Sequence, residues 1–151
     1  MYDILVFVHV LAAVIWVGGG FALNVVGTRI VKAANSAATA SFAHQAAFIG
    51  QRIFAPTSLI LLAAGVAMTL DRWSFRQLWI AIGVAGFLYS FITGAFIIGP
   101  LSGKTGKLLE ERGAEDAQVL ANIRKLFLFG RIELAVMIVV IAAMTLKPGL
   151  G

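Results

Sequence analysis

The sequence predicts an all-α polytopic membrane protein: one four-helix transmembrane bundle over residues 1–151, with short cytoplasmic helical extensions. Three observations carry this expectation. The chain is 60% hydrophobic and only 13% charged, where a soluble domain holds about 25% charged residues. Four separate apolar runs approach or exceed the length needed to cross a bilayer, about 20 residues for a helix. The Lys and Arg residues fall between those runs rather than along one solvated face, which is the pattern of membrane topology and not of a nucleic-acid binder. With no cysteine, disulfides, iron–sulfur clusters and thiolate metal sites are excluded.

The first span, about 4–26, carries no charge, and Met1-Tyr2-Asp3 lacks the basic start of a cleaved signal. A retained helix is predicted there. The second span, about 53–70, is short but can be extended by Phe48 and Ile49, and Pro56 predicts a kink. Asn35-Ser36 marks a helix start, so 37–51 should lead into span two as a cytoplasmic extension. The third span, about 78–98, is expected to close at Gly99-Pro100. After it comes a polar, turn-rich stretch, Gly103 to Gly113, holding a short charged helix. The fourth span, about 127–146, should end sharply at Lys147-Pro148-Gly149. In hydrocarbon all four must be helical, because only a helix satisfies its own backbone hydrogen bonds.

Charge sets the orientation. Arg29, Lys32 and Arg52 lie between spans one and two, and Lys104, Lys107, Arg112, Arg124 and Lys125 between spans three and four. Only Arg72, Arg76 and Lys147 lie on the other side. Eight against three predicts cytoplasmic long loops and both termini on the other side of the membrane. Trp73 and Trp79 flank the short outer loop as interfacial aromatics.

Lipid offers no hydrophobic force between helices, so small residues mark the seams. Gly86, Ser90 and Gly94 should face another helix. In span one, His9, Ala13, Trp16, Gly20, Asn24 and Gly27 should point into the bundle, with Leu11, Val14, Ile15, Ala22 and Val25 on the opposite, apolar face.

Ionisable groups in the bilayer are the candidates for function. His9 lies about 7 Å inside the outer end of span one and could hold haem iron, copper or a proton. His44 belongs to the cytoplasmic side, so the two histidines cannot share a metal across about 30 Å of core. Met68 and Met144 lie at the depth of His9, a set suited to Cu(I) or haem iron, although methionine also fills gaps in apolar cores. Asn24, Arg131 and Glu133 are expected as buried polar groups. Glu133 would pair with Arg52 or bond Asn24, or act as a proton relay, while Arg131 reaches for lipid phosphate. The stretch 99–105, GPLSGKT, is one residue short of a phosphate-binding loop and lacks its strand, so it reads as a plain loop.

Span one reads HVLAAVIWVGGGFALN, span two RIFAPTSLILLAAGVAMTL, and span four carries Arg131-Ile132-Glu133 and ends in TLKP. In this order the segments resemble small bacterial four-helix integral membrane proteins of unknown function, related to HemJ-type protoporphyrinogen oxidases and CopD-like copper-resistance domains. The resemblance implies haem b at His9 and a redox role. The oxidases' third-span lysine and histidine have no counterpart in WIAIGVAGFLYSFITGAF, so no reaction follows from it. Copper handling, and a cofactor-free accessory subunit acting as a homo-oligomer or beside a membrane partner, are the other readings.

Overall fold

The computed structural model describes residues 1–33 and 35–149. Its elements are α1 (Tyr2–Lys32), α2 (Ser36–Ile49), a π-helical turn (Gly50–Phe54), α3 (Ala55–Arg72), α4 (Leu78–Ile92), a second π-helical turn (Thr93–Ile98), α5 (Gly99–Arg112) and α6 (Ala117–Leu146). Helix continues through each π turn, so four continuous rods of 31, 36, 35 and 30 residues are long and apolar enough to span a membrane. The shortest is about 45 Å long, roughly 15 Å more than the hydrocarbon core. The excess projects at the end that carries most of the Lys and Arg.

Two expectations change here. Gly99-Pro100 does not end the third helix, and 99–105 is not a loop, because α5 continues to Arg112. The reason is local. Proline lacks an N–H and crowds the preceding turn of an α-helix. Pro56 and Pro100 each stand at the second residue of a new α segment, directly after a π turn. In that widened turn Gly99 N–H bonds to Gly94 O, five residues back, so the helix absorbs the proline without ending. The start at Asn35 forms as expected, its Oδ1 accepting from Ala38 N–H, and Asp116 caps α6, its Oδ1 accepting from Gln118 and Val119 N–H. Lys147 closes α6 in the left-handed region at φ 45.

Glycine notches hold the bundle together. In the α1–α3 seam, Phe54 fills the space beside Gly19 and His9 that beside Gly65. In the α4–α6 seam, Met144 fills the space beside Gly83 and Val140 that beside Gly86. α1 also packs on α6, whereas α3 and α4 touch only slightly. Gly86 and Ser90 are buried as predicted, but a Cβ on Gly94 would meet nothing. Gly94 lies inside the π turn, half-buried and without a neighbour at the place a Cβ would take. The α1 reading holds: Leu11, Val14, Ile15, Ala22 and Val25 are all exposed, and Gly27 is buried against Phe42 and Phe127.

Both ends are tied. At the basic end, Leu109, Val119 and Ile123 form a small core between α5 and α6. At the other, Trp73 Nε1–H donates to Tyr2 Oη at 2.7 Å, Arg72 stacks 4.2 Å from the Tyr2 ring, and Lys147 sits 4.5 Å from the Trp73 ring. Trp79 corrects the picture of a pair of interfacial aromatics. It is 7% exposed, packed edge-on to Trp73 at 5.1 Å and against Ala143.

Candidate functional site

His9 reaches the seam because positions 9, 13, 16 and 20 recur on one stripe of α1. Across from it, Gly65 supplies the room: a Cβ there would stand 3.1 Å from the imidazole Cε1. His9 Nδ1 lies 2.9 Å from Leu61 O. A carbonyl can only accept, so Nδ1 carries the proton, and in the neutral ring Nε2 holds a free lone pair. The bond and the room come from the same turn of α3, since Leu61 and Gly65 are four residues apart. An imidazole fixed by a backbone carbonyl through one nitrogen has the orientation of a metal-ligating histidine. It also satisfies a polar group that lipid would leave unpaired.

The other predicted residues are distributed around this seam. Met68 stands three residues beyond Gly65 on α3 and is half-buried. Met144 is lodged beside Gly83 in the α4–α6 seam. His44 is far from both, on α2, where its Nε2 lies 3.0 Å from Glu110 Oε1 of α5 in an exposed pair. Among the described residues, no group of three His, Cys, Asp or Glu side chains is arranged to hold a metal.

The polar trio divides. Asn24 is half-buried, its Nδ2–H donating to Gly20 O at 3.1 Å, with its amide pressed against Gly130. Glu133 is half-buried beside the Ser90 hydroxyl. Ser90 is 1% exposed, and its hydroxyl finds no partner in hydrogen-bonding geometry. The two groups are neighbours that stop short of a bond. Arg131 is exposed rather than buried, because two residues on a helix turn it about 200° from Glu133. The expected Glu133–Arg52 ion pair does not form, and the ion pairs among the described residues lie elsewhere, at His44–Glu110, Arg72–Asp71 and Arg112–Asp116.

Gly65 and Ser90 are not legible in the sequence as the partners of His9 and Glu133. A glycine in an apolar run signals close approach, but not which helix approaches. Nor is the apolar groove of about 660 Å³ between the second π turn and α6, with Lys104 and Lys125 at its rim, legible there.

A family model described as a predicted integral membrane protein (DUF2269) matches residues 3–148. No curated protein and no solved structure matches the chain.

Proposed function

Because the chain belongs to the DUF2269 family of predicted integral membrane proteins, we propose that it is a redox protein of the bacterial inner membrane that carries haem b on His9. The observation that carries the reading is the Nδ1–Leu61 hydrogen bond, which leaves the Nε2 lone pair available as a ligand. A haem held here would rest on the single imidazole of His9. His44 is committed to the opposite end and Met144 to the Gly83 notch, so His9 would hold the group, with Met68 the other donor left uncommitted. Haem bound this way supplies one-electron transfer. The chain's own part is to fix the ring, through Leu61 O and the space at Gly65, and to surround it with apolar helix. The Lys and Arg asymmetry supports both termini facing the periplasm, which puts His9 near the periplasmic surface.

Detergent-purified protein should show a Soret band that His9→Ala abolishes and His44→Ala leaves intact. A haem-loaded His9→Ala protein overturns the reading.

The second reading is a cofactor-free accessory subunit, alone, as a homo-oligomer or beside a membrane partner. The close fit of His9 to Gly65 favours it, because packing and one hydrogen bond already account for the residue. A colourless wild-type protein selects this reading. Copper bound in a colourless protein selects instead Cu(I) handling by His9, Met68 and Met144, which requires Met144 to leave its notch.

A further inference from the structure

The groove between the second π turn and α6 has a chemistry of its own. Phe96, Ile97, Leu128 and Phe129 form its walls, and Pro100 and Leu101 its floor. Phe96 and Leu128 are among the more exposed large apolar side chains of the chain, at 71% and 56%. Two lysines, Lys104 of α5 and Lys125 of α6, complete the lining, and no acidic residue joins them. Neither lysine takes part in an ion pair among the described residues.

Depth tells what such a groove meets. Twenty helical residues cover about 30 Å. Counted inward from Leu78 on one rod and from Leu146 on the other, that distance ends at Ile97 and Phe127. Phe96, Ile97, Leu128 and Phe129 therefore occupy the last turn of the hydrocarbon layer. Lys125 lies just past it, and Lys104 about 10 Å past it along the axis. Both ammonium groups can reach the headgroup layer, because lysine extends its stem to place its charge at the interface. Apolar walls below and paired cations above match one molecule: an acyl chain joined to a phosphate.

We propose that this groove binds an anionic phospholipid of the leaflet at the basic end of the bundle, with its phosphate between Lys104 and Lys125 and an acyl chain along Phe96, Ile97, Leu128 and Phe129. The site requires only that the chain spans the bilayer, so it stands or falls separately from haem at His9. Basic pockets between transmembrane helices recognise anionic headgroups through the same combination of field and hydrogen bonding.

Delipidated full-length protein in detergent, titrated with phosphatidylglycerol or phosphatidylcholine and read by native mass spectrometry, tests the proposal. Wild type should retain one phosphatidylglycerol with roughly twenty-five-fold preference, about fivefold for each lysine beside an anionic headgroup. Lys104→Gln with Lys125→Gln should bring the preference near unity, and the Lys→Arg pair should restore it. Arg29→Gln with Lys32→Gln removes the same charge from the end of α1 and should change nothing. Leu128→Trp, which fills the groove without altering charge, should lower retention. Equal loss of preference in the Arg29 and Lys32 control would mean bulk charge and would overturn the site. So would an undiminished preference in the Lys104 and Lys125 pair. Displacement of the lipid by inorganic phosphate at matched concentration would make this a small-anion site and refute the lipid.

Discussion

The α1–α3 and α4–α6 seams use the same device and fill it differently. Each places a side chain from one helix in a notch left by glycine on another. In the α4–α6 seam both fillers, Met144 and Val140, are apolar. In the α1–α3 seam one filler is apolar, Phe54 beside Gly19, and the other is the imidazole of His9 beside Gly65. The apolar seam shows that close approach needs no polar group. His9 therefore adds something that packing alone does not require, a cross-helix hydrogen bond and a free ring nitrogen. In lipid such a bond is worth on average about 0.6 kcal/mol, up to about 1.7, so its loss should be felt modestly in stability.

The comparison breaks most visibly at Gly86. Replacing it with Leu drives a side chain into Val140, and overpacking of this kind costs about 3 kcal/mol. Gly86→Leu should melt well below the parent in detergent, and an unchanged melting temperature would mean that α6 does not pack on this face. A smaller effect is expected in the other seam. His9→Ala should cost about 1–2 kcal/mol, from the lost hydrogen bond and the vacated notch. A loss several times larger would point to a bound group lost with the histidine. The smallest effect belongs to Gly94→Leu, which should shift stability by less than about 0.5 kcal/mol because nothing faces it. If Gly94→Leu proves as damaging as Gly86→Leu, another helix packs against Gly94 after all.

These cases show how far the sequence could be read. The stripe on α1 was legible because one periodicity runs unbroken along the helix, and the residues assigned to lipid are the ones exposed. The stripe on the third span was legible only through Gly86 and Ser90, since no side chain of another helix comes up against Gly94. Trp79 followed the rule for interfacial aromatics in sequence and still became core, because Trp73, Ala143 and the end of α6 close over it. Glu133 had a plausible cation in Arg52, and the fold set it beside Ser90 instead.

By itself the sequence determined the number of spans, their helical state, the charge asymmetry between the two ends and the lipid-facing side of α1. Those features are local, because hydrocarbon forces each apolar run to satisfy its own backbone hydrogen bonds, whatever the neighbours. Only the tertiary structure decided that His9 meets Gly65 and Leu61, that Met144 sits in a different seam, and that two π turns carry the helices past their prolines. Among helices of similar hydropathy the lipid favours no partner over another. The choice rests on the shape of individual side chains against individual notches, and that fit joins residues as far apart as His9 and Leu61, 52 positions along the chain.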